Sequence, residues 1–245
     1  MLNPNLQQKL TRLRLGGLKT SLPVRLQEAA ASRLSHLEFL ELILQDEELV
    51  REDRKRERRI KKAGFREIRR LDGFDWNFNP EINRKQIYEL AAGGYLERGS
   101  DVLMVGPPGV GKSHLAQALG YEAILQGRTV RYRSIFDLVG DLKRAEGLED
   151  DRQMVNSYLK PDLLIIDDMG IKQLPGKAGE HLFEILLRRY EVRSTLMTSN
   201  RPIEDWGKLI GDVPAAGAIL DRFLHHAAIL EMPGRSYRLK DRGHE

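Results

Sequence analysis

An α/β fold with a mostly parallel sheet flanked by helices, preceded by a small all-helical N-terminal domain, is the architecture this 245-residue sequence predicts. Three observations carry the prediction. Helical periodicity alone governs residues 1–70. After Pro80, short apolar runs alternate with amphipathic segments, as in βα units. Where one such run meets one such segment lies Gly106-Pro107-Pro108-Gly109-Val110-Gly111-Lys112-Ser113, which fits the phosphate-loop pattern G-x-x-x-x-G-K-[ST]. The expected division is a helical domain at 1–70 with a basic arm at about 51–70, a linker at 71–80, and an α/β domain at 81–245.

In the first part, Leu6, Leu10 and Leu13 share one helix face, Gly16-Gly17 is expected to stop that helix, and Pro23 suits the first turn of the next. From there Leu26, Ala30, Leu34, Leu37, Leu40 and Leu44 step by three or four, an amphipathic stripe read as the small domain's core. Gly64 is expected to end this helical stretch. Leu71-Asp72-Gly73-Phe74-Asp75-Trp76-Asn77-Phe78-Asn79-Pro80 reads as a linker, aromatic enough to pack against another part of the chain. Strands are expected at Val102–Val105, Thr129–Ser134, Leu163–Ile166, Thr195–Thr198 and Ala228–Met232. Helices are expected near Ile82–Ala92, His114–Gln126, Ile135–Ala145, Met154–Leu159, Gly179–Glu191 and Ala215–His226.

The order strand, loop, helix around the motif is the one phosphate chemistry needs. Positions Gly106, Pro107, Pro108, Gly109, Val110, Gly111, Lys112, Ser113 and His114 form the candidate nucleotide contact, with backbone N–H groups wrapping phosphates at a helix N-terminus. Lys112 would neutralise β/γ charge, and the Ser113 hydroxyl can ligate Mg²⁺. Leu163-Leu164-Ile165-Ile166-Asp167-Asp168 is an apolar run ending in two carboxylates. A buried strand delivering Asp167 at its C-terminal end places it by the Mg²⁺ shell, where open α/β sheets bind ligands. Asp168 would then face the γ-phosphate and orient or deprotonate water. Leu196-Met197-Thr198-Ser199-Asn200 is another apolar strand with a polar end, and Asn200 is a candidate for holding the same water or a γ-phosphate oxygen. In Leu220-Asp221-Arg222-Phe223, Arg222 is either a salt-bridge partner of Asp221 or a residue projecting into a neighbouring subunit's nucleotide.

Composition excludes several classes. The absence of Cys removes disulfides and cysteine catalysis, and sparse His argues against a zinc site. Neither a membrane span nor a signal peptide is indicated, so a cytoplasmic location is expected. The net charge is only +4, but residues 51–70 carry seven positive charges in excess and the rest of the chain is net negative. Pairs such as Glu52 with Arg56 and Glu57 with Lys61 cannot absorb that excess. Arg51, Lys55, Arg58, Arg59 and Lys62 recur at helical spacing, and Arg51, Arg54, Lys55, Arg58, Arg59, Lys61 and Lys62 are the candidate nucleic-acid contacts. A solvated linker helix and an anionic membrane surface are the competing readings of this segment.

Taken in order, the phosphate loop, the Asp-Asp strand end, the Thr-Ser-Asn strand end and the Arg-bearing helix resemble an AAA+ ATPase core. The flanks narrow the resemblance. Leu18-Lys19-Thr20 to Leu22-Pro23, Arg58-Arg59-Ile60-Lys61-Lys62-Ala63-Gly64-Phe65, Phe74-Asp75-Trp76-Asn77-Phe78, Arg189-Tyr190-Glu191 to Ser194, Ala218-Ile219-Leu220-Asp221-Arg222 and Gly234-Arg235-Ser236-Tyr237-Arg238-Leu239 resemble the IstB family, ATPase helpers of insertion-sequence transposases. That family is akin to DnaC-type helicase loaders and the replication initiator DnaA. The resemblance implies that Lys112, Ser113, Asp167 and Asp168 are Walker A and B residues, Asn200 sensor I and Arg222 a trans arginine finger. It leaves Arg235 and Arg238 open as second-sensor candidates. Many members carry Glu where this chain has Asp168, so slow, partner-stimulated ATP hydrolysis is expected.

The resemblance thus implies ATP and Mg²⁺ as cofactors and a homo-oligomer assembled with ATP. Duplex DNA and a cognate transposase are the implied partners, and regulation of transposition the implied function. A DnaC-like helicase loader is the alternative, distinguished by preference for single strands. A P-loop small-molecule kinase accounts for the loop but not for the basic arm. A DNA-bending protein that binds ATP without hydrolysing it is the remaining reading.

Overall fold

The structure, a computed structural model, describes residues 2–145, 151–170, 178–202 and 223–242. Two compact units emerge, Met1–Arg58 and Arg59–Glu245. The first comprises α1 (Pro4–Arg12), α2 (Gly16–Ser32) and most of α3 (His36–Ala63). Asn3 caps α1 by accepting the Asn5 N–H at 2.9 Å, with Pro4 at the first helical position. A reciprocal capping box opens α3: Ser35 Oγ accepts from Glu38 N, and the Glu38 carboxylate accepts from Ser35 N.

Three expectations for this unit are corrected. The chain turns at Arg14, with φ of 57°, so Gly16 and Gly17 open α2 rather than stop α1. Gly17 is needed for another reason: a Cβ there would stand 2.8 Å from Glu47 Cα, so the missing side chain lets α2 and α3 approach. Pro23 lies well inside α2 instead of in its first turn, where it removes one intrahelical hydrogen bond. The leucine stripe is not the core either, since Leu26, Leu37, Leu40 and Leu44 are all about half or more exposed. Buried instead are Leu10, Leu18, Leu22 and Ile43, joined by Leu2, Leu15 and Phe39. The physical reason is a helix break. α2 ends at Arg33 in the left-handed region and α3 starts at His36, so a stripe counted through Leu34 crosses from one helix to another.

In the second unit, the last turn of α3 is anchored by fully buried Ala63, and Gly64 ends the helix with φ of 73°. The stretch expected as a linker packs into this unit: Leu71 is buried, and Phe65, Phe74 and Trp76 pack against the same core. The elements that follow are α4 (Arg84–Ala91), α5 (Gly94–Arg98), β1 (Val102–Val105), α6 (Lys112–Leu125), β2 (Val130–Ser134), α7 (Ile135–Ala145), α8 (Asp151–Leu159), β3 (Leu163–Met169), α9 (Ala178–Arg189), β4 (Ser194–Ser199), β5 (Ala228–Glu231) and a 3₁₀ helix, Tyr237–Arg242. Of the helix expected at Ala215–His226, residues 215–222 lie outside the described residues.

The sheet is parallel, in the order β2-β3-β4-β1-β5. The three central strands, β1, β3 and β4, are buried on both faces, and period-two alternation divides each between two cores. Val102, Met104, Leu163 and Ile165 face the core that holds α6, whereas Leu103, Leu164 and Ile166 face the one holding Leu138, Tyr158 and Leu182. α6 is buried nearly all round, as a helix packed between a sheet and other chain must be. β3 runs three residues beyond its expected end, and its register against β4 shifts between Ile166 and Met169. Asp168, at φ of 63°, sits in that irregularity, a left-handed conformation that Asp tolerates better than most residues.

Candidate nucleotide site

The sheet carries its polar strand ends to one edge, and the loop after β1 faces them. Gly106, Gly109 and Gly111 are fixed by close approach: a Cβ at Gly106 would meet Met232 O at 2.2 Å, at Gly109 Ser236 Oγ at 2.0 Å, and at Gly111 the Phe74 ring at 2.5 Å. Gly109 and Gly111 also adopt φ of 83° and 107°. The loop is therefore held between the aromatic segment around Phe74 and the C-terminal segment, whose Tyr237 N–H donates to Gly109 O at 2.9 Å.

A cavity of about 520 Å³ opens over this loop, within the range of small-molecule sites. Pro108, Gly109, Val110, Gly111, Lys112, Ser113 and His114 line one side; Asp168, Thr198 and Asn200 line another. Gly106 and Pro107 support it through Lys112, whose Nζ donates to their carbonyls at 2.7 and 2.8 Å. Burial pushes the Lys112 ammonium below its ordinary pKa, although the Asp167 and Asp168 charges oppose this. His114 is likewise pushed down by burial and lies edge-on to Phe74.

Asp167 is fully buried at the end of β3 and is held by hydroxyl groups. Ser113 Oγ donates to Oδ1 at 3.0 Å, Thr198 Oγ1 donates to the same oxygen, and the Tyr132 phenol donates to Oδ2 at 2.5 Å. Thr198 Oγ1 also accepts the Asp168 N–H at 3.0 Å, fixing the bulge that turns Asp168 away from its neighbour. Asp168 is pushed above the ordinary carboxylate range, first by burial and then by Asp167, against the pull of Arg66, Arg238 and Lys112. Asn200 projects its Oδ1 into a buried position with no hydrogen-bond partner among the described residues. A buried acceptor left unsatisfied costs free energy, so its place in this cavity fits a water or ligand donor.

The structure thus brings together the loop, Lys112, Ser113, Asp167, Asp168 and Asn200. Arg222 lies outside the described residues. Arg238 lines the cavity, whereas Arg235 stacks over Phe78 at 5.6 Å. Sequence reasoning missed Tyr132, Thr198 as a second support, Arg66 and the aromatic wall of Phe74 and Phe78. The one available signal for Tyr132 was a hydroxyl-bearing side chain on the strand that neighbours the Asp-Asp strand.

The candidate nucleic-acid residues belong to α3. Arg51 donates to Glu47 at 2.7 Å and to the Arg14 carbonyl, and Lys55 pairs with Glu52. Arg54 stands beside Gly16, and Arg58 Nε donates to the Arg54 carbonyl. Among the described residues no carboxylate pairs with Arg58, Arg59, Lys61 or Lys62. No helix of the described residues is long and apolar enough to cross a membrane.

Comparison with known proteins shows the family and the fold. The family model for IstB-like ATP-binding proteins matches residues 8–244. The ATP-binding protein of insertion sequence IS21 from Pseudomonas aeruginosa is 38% identical over 237 residues, spanning 97% of this chain and 89% of its own. Among solved structures, the DnaC helicase loader superposes with a TM-score of 0.54 at 23% identity, covering 64% of this chain and 97% of its own. AMPPCP-bound DnaA from Aquifex aeolicus gives a TM-score of 0.58 at 26% identity, covering 73% and 54%. Those likenesses make the fold that of an AAA+ P-loop protein, with the parallel sheet and N-terminal helices the sequence predicted. With a phosphate loop, Asp168 and a polar strand end lining one cavity, with Asp167 hydrogen-bonded to Ser113 of that loop, and with that match along nearly its whole length, the chain belongs to the IstB-like ATP-binding protein family.

Proposed function

We propose that this chain is an ATP-driven switch of transposition that assembles with ATP on duplex target DNA, recruits the cognate transposase, and uses slow hydrolysis to time release. The carrying observation is the convergence of Lys112, Ser113, Asp168 and Asn200 on one cavity, with Asp167 hydrogen-bonded to Ser113 behind it, in a chain whose α3 ends in Arg58, Arg59, Lys61 and Lys62, which meet no carboxylate among the described residues. The IS21 relative's name, an insertion-sequence ATP-binding protein, supports the setting.

In this reading the loop from Gly106 to His114 cradles the phosphates. Lys112 exchanges its two loop carbonyls for β/γ oxygens, which offer a full negative charge in place of partial ones. Asp167 and Ser113 form an all-oxygen donor pair suited to Mg²⁺, which when bound supplies charge neutralisation at the phosphates. Asp168 orients the attacking water or takes its proton, and burial, which raises its pKa, makes it a stronger base than an exposed carboxylate. Asn200 Oδ1 accepts a hydrogen bond from that water. Arg238 is the better placed of the two second-sensor candidates, because it lines the cavity. By family resemblance, Arg222 supplies the trans arginine, so the nucleotide joins two subunits. Arg58, Arg59, Lys61 and Lys62, together with Arg51, Arg54 and Lys55, neutralise DNA phosphates.

The test is to measure mass by sedimentation and affinity for a labelled duplex, with ATP, ADP or no nucleotide. ATP should raise both. A monomer indifferent to ATP that binds no duplex at low salt refutes the reading. Preference for single strands, with capture of a replicative helicase rather than a transposase, would point to a loader instead.

A further inference from the structure

Arg66 is the feature that the proposed mechanism leaves unused. It lies three residues beyond Ala63, the last residue of α3, and its side chain lines the nucleotide cavity with Lys112, Ser113, Asp168 and Arg238. Its guanidinium stands 3.6 Å from Asp168 Oδ2. That separation is too long for a hydrogen bond, and the side chain is 54% exposed, so the pair is a weak one. The backbone on either side is pinned. Phe65 packs on the Tyr132 ring at 6.1 Å and against Gly120, and Glu67 N donates to the buried Gln117 side chain at 3.1 Å. Arg69, the neighbouring cation on the cavity wall, is neutralised by Glu67. What remains is a pinned cation whose side chain is only loosely held, on the Asp168 side of a phosphate-binding cavity.

From this placement we infer that Arg66 reads the terminal phosphate of the bound triphosphate in cis and relays its presence to the last turn of α3, residues 59–63. The inference rests on the reading that this cavity takes ATP. A guanidinium binds a phosphate bidentately and more strongly than it holds a distant carboxylate, so a γ-phosphate draws Arg66 off Asp168. This leaves Asp168 free to orient water. A diphosphate has no group at that position, so Arg66 stays on Asp168. The two nucleotide states therefore hold the residue at the foot of the basic helix differently. Because ligand couplings are reciprocal, DNA held by that helix must in turn shift the preference for ATP over ADP.

The experiment uses the full chain and its Arg66→Ala and Arg66→Lys variants. Affinities for a non-hydrolysable ATP analogue and for ADP are measured by calorimetry, and duplex affinity is measured in each nucleotide. Arg66→Ala should lose about ten-fold or more for the ATP analogue while ADP changes by less than about two-fold, the scale of one charge-assisted hydrogen bond. Arg66→Lys should recover part of the loss, because a point charge remains without the fork. The difference in duplex affinity between the ATP-analogue and ADP states should vanish in Arg66→Ala. Equal losses for both nucleotides, or none for either, overturn the γ-phosphate assignment. A wild-type chain with no such duplex difference, or a variant that keeps it, overturns the relay. If wild type itself binds neither nucleotide, the nucleotide reading fails first and the assignment falls with it.

Discussion

Tyr132→Phe tests the idea that Asp167 is held in place by hydroxyl groups from separate elements. The substitution keeps the ring, and with it the contact to Phe65, but deletes the phenol that donates to Asp167 Oδ2 at 2.5 Å. Both residues are almost wholly buried, so no solvent replaces the lost donor, and Ser113 and Thr198 both address the other oxygen. A hydrogen bond to a charged group is worth about 1.5–3 kcal/mol, and at about 2–4 °C per kcal/mol for a domain of this size the expected fall in Tm is about 3–12 °C. The assay is thermal unfolding by calorimetry, without nucleotide, for wild type, Tyr132→Phe, Asp167→Ala and the double variant. In the Asp167→Ala background, Tyr132→Phe should cost nothing, because the phenol no longer has its acceptor. A Tm for Tyr132→Phe within about 1 °C of wild type, or equal losses in both backgrounds, would refute the reasoning.

Arg189 is 1% exposed, and its guanidinium donates to the carbonyls of Tyr158, Pro161 and Ser194. Arg189→Ala leaves these acceptors buried and unsatisfied, so the denaturant midpoint should drop by the equivalent of at least about 3 kcal/mol, with Arg189→Lys recovering only part. Burial pushes Asp101 up to about 7, above its value in an unfolded chain, so the folded state binds the proton more tightly. Its contribution to stability is therefore greatest below about pH 4 and falls as pH rises to about 7; Asp101→Asn should flatten that part of a pH series of unfolding midpoints. Asp168→Asn should retain ATP and hold the chain on DNA while phosphate release, followed by a coupled assay, falls about 100-fold or more. Replacing both Lys61 and Lys62 by Gln should reduce the slope of log affinity against log salt by about 1.8 if each meets one phosphate, as read by anisotropy at several salt concentrations.

How much of this protein could be read from its sequence depended on whether the information was local. The phosphate loop is eight consecutive residues whose glycines, lysine and serine have fixed relations through the backbone, so its chemistry is legible wherever it occurs. The same holds for Leu163 to Asp168, where an apolar run must be buried and its polar end is delivered to the ligand-binding edge of the sheet. The expected strands reappear as β1 to β5, with ends displaced by up to three residues. The largest displacement is at β3, because the bulge at Asp168 is stabilised by Thr198 from another strand.

Periodicity misled where it was asked about partners. Leu26, Leu37, Leu40 and Leu44 keep helical spacing, but spacing shows only what lines up on a face, and the break after α2 divides even that face. The stretch at 71–80, whose turns read as a linker and whose aromatic residues are expected to pack against another part of the chain, does pack into the second unit, with the Phe74 ring against Gly111 of the phosphate loop. Fold class, phosphate loop and paired carboxylates are legible in the chain alone, since each is written in contiguous residues. Folding in three dimensions makes Tyr132 and Thr198 hold Asp167, turns Arg66 to Asp168, and brings Arg238 rather than Arg235 to the cavity. Those pairings join residues distant in sequence, and which side chains meet is set by strand order and register, which no local pattern encodes.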